Sequence, residues 1–365
     1  MNRYLSSFLF LNFCATFFFE ACTENNTNVS FQLKNSNQLQ LKDSNQMKIG
    51  FGSCINQHKS LPIFESIKKD SFDLFFMLGD NVYGDSETKE LEKLKFAYNK
   101  QKLNFKMLKL NLPFEAIWDD HDYGMNDGGK EYLFKESSKE LFLKFWDIPS
   151  DDVRRSRKGL YFEKTYNIDN KILQVLFLDT RTFRDALLPS DNLGSPRKER
   201  YIPNQDSSLS ILGKNQWIWL RKKINKTVDL RIIASSIQFL PIGHGWESWN
   251  NFPWERRKLI DLIDNTNLSH TLVISGDRHR GGLYQFRTDN GKIISEMTSS
   301  SLNYSLYDFE NKDIQNKEEY GPLRIGDTFL KENYGSILVN SIDNSMSISL
   351  KNINGKIVKS IFLKN

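Results

Sequence analysis

Short apolar runs recur along the chain, and nearly every one of them ends in a polar cluster. Met47 to Phe51 leads to Gly52-Ser53-Cys54, Asp73 to Leu78 leads to Gly79-Asp80, and Phe114 to Trp118 leads to Asp119-Asp120-His121-Asp122-Tyr123-Gly124. Farther on, Ile172 to Leu178 leads to Asp179-Thr180-Arg181, Leu230 to Ala234 to Ser235-Ser236-Ile237-Gln238, and Thr271 to Ile274 to Ser275-Gly276-Asp277-Arg278-His279. Their length and their content of Ile, Val, Leu and Phe predict buried strands. Between them lie segments with helical spacing of apolar residues: Glu90 to Leu110, Tyr132 to Trp146, Asn215 to Ile224 and Trp254 to Ile263. Those residues are expected to face a core. Strand and helix in alternation predict an α/β sheet with helices on its faces. The tail differs, since Gly335 to Asn340, Ser345 to Asn352 and Lys356 to Leu363 predict a β meander with turns at Asp343-Asn344 and Asn354-Gly355. Leu187 to Leu209 reads as an inserted loop. With no internal repeat and no linker, residues 47–365 are expected to form a single domain.

In open α/β sheets ligands sit beyond the carboxyl ends of the strands, so these polar clusters should converge on one edge. That step gathers Cys54, Asp80, Tyr83, Asp119, Asp120, His121, Asp122, Asp277 and His279.

Composition supports a globular protein, because 39% hydrophobic and 13% aromatic residues suffice for a large core. The net charge of +5 is spread along the chain, and without a basic patch laced with aromatics no nucleic-acid partner is expected. The basic run Arg154 to Lys158 reads as a solvated loop. Residues 1–21 hold one early Arg3 and an apolar run from Tyr4 to Phe19, which is short for a membrane span and reads as an export signal. Small Ala21 before Cys22 points to lipoprotein processing as one fate of that segment, although Glu20 fits the cleavage pattern poorly. Residues 22–46 are rich in Asn, Gln and Ser and read as a flexible tether. The expected location is therefore the periplasm, or the outer membrane or cell surface as a lipoprotein, with contact to the membrane only through this segment. Of three cysteines only Cys54 lies in the folded part. It fits a small buried hydrophobe or a metal-bound thiolate.

Carboxylates brought together repel, and burying them unpaired costs several kcal/mol each, so the cluster calls for protons or cations. A thiolate and a phenolate suit a ferric-type ion, whereas a carboxylate shell suits Ca²⁺, Mg²⁺ or Mn²⁺. Two ions bridged by a carboxylate supply a hydroxide nucleophile near neutral pH and clamp the oxygens of a displacement at phosphorus. His121 is then placed to protonate the leaving oxygen.

The ordered motifs GSC at 52–54, GDNVYG at 79–84, WDDHDYG at 118–124, LDTR at 178–181, SSIQF at 235–239 and SGDRH at 275–279 resemble the PhoD-type alkaline phosphatases. That family belongs to the calcineurin-like metallophosphoesterase superfamily, and the likeness spans roughly residues 47–305. It implies two packed mixed β-sheets flanked by helices and a binuclear centre at the strand ends. It also implies Asp80 as the bridging carboxylate, Tyr83 and Cys54 as ligands of Fe³⁺, and Asp120, Asp277 and His279 as further ligands. His121 becomes the proton donor. The second ion implied is Ca²⁺, with Mn²⁺, Mg²⁺ or Zn²⁺ as substitutes. Tyr123 and Arg181 are expected to contact phosphate oxygens, and Asp119 and Asp122 to orient His121 or a ligand. Known PhoD enzymes add a small β domain and a twin-arginine signal, which this sequence does not match.

The expected activity is hydrolysis of a phosphomonoester or phosphodiester. Two rivals are a phosphodiesterase acting on phospholipid or cell-wall polymer, and a catalytically silent surface binding protein of the same fold. An aromatic and apolar rim beside the site would favour the diesterase. The segment from Trp246 to Trp254 could supply it, but is read first as packing.

Overall fold

The computed structural model describes residues 45–308 and 318–365; the expected signal and nearly all of the expected tether lie outside them. The described residues belong to one compact unit. Among the described residues, twelve strands form two six-stranded mixed sheets. The chain supplies the first from its two ends, as β1 (Gln46–Gly52), β2 (Leu74–Leu78) and β3 (Phe114–Ile117), then β10 (Asn333–Asn340), β11 (Ser345–Asn352) and β12 (Ile357–Lys364). Their order is β12-β11-β10-β1-β2-β3, in which β1, β2 and β3 are parallel and the tail is the predicted antiparallel meander.

The middle of the chain makes the second sheet from β4 (Phe162–Ile168), β5 (Lys171–Phe177), β6 (Leu230–Ala234), β7 (His270–Ser275), β8 (Gly281–Arg287) and β9 (Ile293–Ser299). The order is β4-β5-β6-β7-β9-β8, parallel from β5 through β9. Alternate residues explain the stacking of the two sheets. Leu74, Phe76 and Leu78 of β2 share one cluster with Leu173 and Val175 of β5 and Ile348 of β11. The intervening Phe75 points the other way, to Phe72 and Phe114. Each such aliphatic or aromatic side chain contributes about 1.5–3 kcal/mol on burial.

Helices cover the outer faces. Beside the first sheet lie α1 (Ile63–Asp70), α2 (Glu92–Leu108) and α4 (Lys135–Phe145), with Phe105 of α2 stacked on Phe114 of β3. On the second lie α6 (Gly213–Ile224) and α7 (Pro253–Asp264), whose Trp217, Leu220, Leu259 and Ile263 join Ile233 and Val273 in a second cluster. Two single turns, α3 (Asp120–Tyr123) and α5 (Val153–Ser156), complete the set. The four predicted helices are present within a few residues of their expected bounds. The basic run at α5 departs from expectation: Arg154 is buried, pairs with Asp152 at 2.7 Å and lies 3.9 Å over the Phe162 ring. Among the described residues no helix is long and apolar enough to cross a membrane.

Candidate metal centre

The carboxyl ends of β1, β2 and β3 in one sheet and of β5, β6 and β7 in the other meet at one edge, as the strand-end clusters predict. Backbone bonds tie those ends together: Cys54 N donates to Gly79 O at 3.3 Å, Ile55 N to Asp80 O at 2.9 Å and Gly276 N to Ser236 O at 2.9 Å. Two glycines permit the approach. A Cβ on Gly79 would stand 2.4 Å from Asp119 Cβ, and one on Gly276 would stand 2.5 Å from Ser53 Oγ.

At this edge four non-glycine residues adopt left-handed backbone: Cys54 (φ 57°), Asp80 (φ 49°), Asp277 (φ 69°) and His279 (φ 52°). Each such residue costs about 1–3 kcal/mol unless its surroundings hold it. The same four are sequence-predicted ligands.

Their side chains fall into two adjoining sets. Cys54, Asp80 and His279 bring a sulfur, a carboxylate oxygen and a ring nitrogen within 4.8 Å of one another. Asp119, Asp120 and Asp277 do so with oxygens alone, and Asp80, Asp120 and His121 form a set between them. Cys54 is fully buried, with Sγ 3.3 Å from Asp80 Oδ2 and 3.2 Å from Ser300 Oγ. Tyr83 donates its hydroxyl to Asp80 Oδ2 at 3.0 Å, and Gln57 fixes its backbone by bonds of 2.9 and 2.8 Å. His279 Nδ1 lies 2.7 Å from the Tyr304 carbonyl, so a neutral ring donates there and keeps its lone pair on Nε2.

Electrostatics tests whether cations fit. Burial pushes the Cys54 thiol up to about 11, and burial also drives Asp80 and Asp277 well above the carboxylate range. His279 falls to about 4 through burial, which keeps it neutral. Oδ1 of Asp80 and Oδ2 of Asp119 are buried and have no hydrogen-bond partner among the described residues. An unpartnered buried oxygen is costly, and a cation relieves both that cost and the mutual repulsion. The residues present fit a soft or ferric-type ion on one side and a harder ion on the other.

The opening turn of α3 explains the remaining acids. Asp122 accepts from Asp119 N at 2.6 Å and from Asn81, closing a capping box in which it supports the strand-to-helix corner rather than His121. His121 is oriented by Asp85, whose Oδ2 lies 2.6 Å from Nδ1. Burial opposes the imidazolium, but Asp120, Asp80 and Asp85 raise its pKa well above the ordinary histidine value. Asp120 accepts from His121 N at 3.0 Å and Asp127 N at 2.7 Å. Burial works against its ionised form too, yet His121 and Arg181 hold it below the usual range.

Two expectations need correction. Tyr123 is fully buried, with its ring against Trp118 and its hydroxyl donating to Gly129 O at 2.8 Å, so it faces the core rather than a phosphate. Arg181 is also fully buried: Nε donates to Asp119 Oδ1 at 2.5 Å and Nη1 to Glu247 Oε2 at 2.8 Å. It neutralises two carboxylates behind the centre. Nearby, Asp179 of the LDTR motif accepts from Trp118 Nε1, Thr182 and Leu160, which makes that motif a structural knot. Arg278 pairs with Glu319.

A cleft of about 430 Å³ opens onto the centre, lined by Asp80, Tyr83, Asp120, His121, Asp277 and His279. Its rim adds residues that sequence reasoning missed: Asp127, Arg200, Glu247, Arg278 and Tyr304. Asp85 follows the GDNVYG motif directly, which is the signal that could have found it. Arg200 arrives from the inserted loop and pairs with Asp127 at 2.6 Å, with no local pattern to announce it. The aromatic segment splits: Trp246 lines the cleft, Trp249 is fully buried and Trp254 is exposed.

Residues 149–327 match the family model described as PhoD-like phosphatase. Over 296 residues the chain is 25% identical to alkaline phosphatase D of Bacillus subtilis (strain 168), which covers 69% of this chain and 49% of that protein. The chain thus spans about half the length of the curated relative it matches. A solved structure of PhoD superposes with a TM-score of 0.61 at 18% identity, covering 87% of this chain and 68% of the other. The last identity supports the fold alone, and the fold agrees in having two mixed sheets flanked by helices. Residues 149–327 thus match the PhoD-like phosphatase family model itself, and the chain around them is similar to a PhoD-type alkaline phosphatase in sequence and carries the ligand motifs in the same order.

Proposed function

We propose that the protein is a metal-dependent phosphoesterase that cleaves phosphate esters at this centre, with Fe³⁺ on the Cys54 side and Ca²⁺ on the Asp119, Asp120 and Asp277 side. The observation that supports the reading most is the pair of adjoining ligand sets with buried, unpartnered carboxylate oxygens at the floor of a cleft. When bound, the ions supply a nucleophile from water and charge for the phosphate oxygens. Asp80 is proposed to hold both ions, and Cys54, Tyr83 and His279 to complete the first. His121, kept protonated by its acidic neighbours and aimed by Asp85, gives its proton to the leaving oxygen. Arg181 and Glu247 fix Asp119 from behind.

One observation favours a diester over a monoester. Trp246, Tyr304 and Leu306 give the cleft an apolar rim, and Trp246 and Arg280 also line a neighbouring cavity of about 820 Å³ with room for a second ester arm. Export through residues 1–21, with or without acylation of Cys22, belongs to the same reading and rests on the sequence. Bis-aryl and mono-aryl phosphates assayed with and without added Ca²⁺, beside metal analysis of the purified protein, test it. Turnover of either ester with iron and a divalent ion present is expected. A well-folded protein lacking both ions, or inert toward both esters when loaded, overturns it.

A further inference from the structure

Helix α2 is apolar on two opposite faces. Leu94, Ala97, Tyr98 and Phe105 are buried against the body of the protein. Phe96, Leu103 and Met107 lie on the opposite side, at 59, 61 and 73% exposure, with one edge of the ridge reaching His58 through the Phe96 ring at 6.1 Å. Spacings of seven and four residues align these three along one ridge roughly 16 Å long. A helix on a soluble surface ordinarily turns its charges outward and its apolar stripe inward. Here the charges lie between the two apolar faces. At about 100° per residue, Lys93 and Lys100 fall on one side of the ridge and Lys95, Lys102 and Lys106 on the other. Against these five lysines the helix has one acid, Glu92.

We propose that α2 docks on an anionic lipid surface, with the Phe96-Leu103-Met107 ridge in the interfacial layer and the flanking lysines against lipid phosphates. An outward apolar ridge bordered on both sides by cations complements such a surface in shape and charge. It does not complement the alternatives. A second copy of the chain would set lysines against lysines, and the cores of protein interfaces are depleted in lysine. The position matters for the centre, because Lys93 and Phe96 border the same shallow depression as Tyr83 and Asp85. The inference stands on α2 alone and does not depend on hydrolysis.

The test uses the full chain carrying Cys14→Ser, Cys22→Ser and Asn99→Cys. Because Cys54 is buried, the new thiol beside the ridge is the one an environment-sensitive dye labels. Asp289→Cys in the same background provides a reference label at an exposed site. Vesicles of phosphatidylcholine with phosphatidylglycerol should blue-shift the dye at 99 but not at 289, and vesicles of phosphatidylcholine alone should shift neither. Adding Phe96→Ser, Leu103→Ser and Met107→Ser should weaken the response about tenfold or more. Those three side chains are exposed, so the thermal midpoint should stay unchanged and separate lost docking from lost folding. The proposal is overturned if protein held on vesicles by its N-terminal segment shows no shift at 99. It is equally overturned by the same shift on neutral vesicles, or by a shift that grows with protein concentration and needs no vesicle, which would mean a second copy.

Discussion

The two halves of the centre are built from the same kind of strand ends yet differ in chemistry. On one side stand a thiol, a phenol and an imidazole around Asp80; on the other, Asp119, Asp120 and Asp277 supply oxygen alone. Their supports differ as well. The Cys54 side is held by neutral groups, namely Ser300, Gln57 and the Tyr304 carbonyl. The acidic side is held by charge, with Arg181 and Glu247 buried behind Asp119. Neutral supports place no fixed charge beside the thiol and the imidazole, whereas stacked carboxylates need a permanent cation even before any ion arrives. The contrast teaches that a mixed sulfur, nitrogen and oxygen donor set and an all-oxygen set can be built a few ångströms apart without distinct pockets.

The largest effect should come from the residue both halves share. Asp80→Asn is expected to abolish turnover and lower the content of both ions, read by elemental analysis; retention of either ion at full occupancy would break the proposed bridge. Next, His121→Asn should lower kcat by about 10²–10⁴-fold while both ions stay bound, since the side chain is needed for the proton and not for the sites. Cys54→Ala and Asp277→Asn should then separate the halves: the first should lose iron and any visible charge-transfer absorption, the second the divalent ion. Equal loss of both in either variant would show one cooperative site. Asp85→Asn should cost about 10–100-fold by freeing the imidazole, with metal content unchanged.

The smallest effect concerns acid. Burial opposes an ionised Glu319, but Arg278 and Arg280 hold it down at about 2, and Arg278 lies between Asp277 and His279, one residue from each half. Because the folded pKa lies below the unfolded one, this contribution is complete above about pH 4.5 and is lost as pH falls toward 2. The thermal midpoint should fall over that window, and less so in Glu319→Gln.

Much of the fold is legible because strands buried on both faces, such as β2 and β7, read as unbroken apolar runs. The strands that escaped recognition carry polar residues inside. In β9, Glu296 is fully buried and accepts from Phe239 N at 3.0 Å and Ser275 Oγ at 2.5 Å, so a polar position hides a core strand. The site was legible where chemistry and strand ends coincide. Tyr123 and Arg181 were misassigned because residue type says what a side chain can bind, not which way it turns; a buried arginine paired with two acids looks, in sequence, like one waiting for phosphate. The Trp246 rim and Arg200 depend on loop paths that carry no local signal.

The left-handed backbone at residue 54 has an evolutionary edge. Asp and Asn tolerate that conformation better than most residues, so Asp80 and Asp277 sit in it at modest expense. Cysteine has no such excuse. Drift at this position should run toward Asn, Asp or Gly, each of which relaxes the turn and exchanges a sulfur ligand for a hard one or for none. A population of variants selected only for folding would therefore lose the thiol first, while one selected for the proposed turnover would keep a backbone conflict in place for the sake of a sulfur donor.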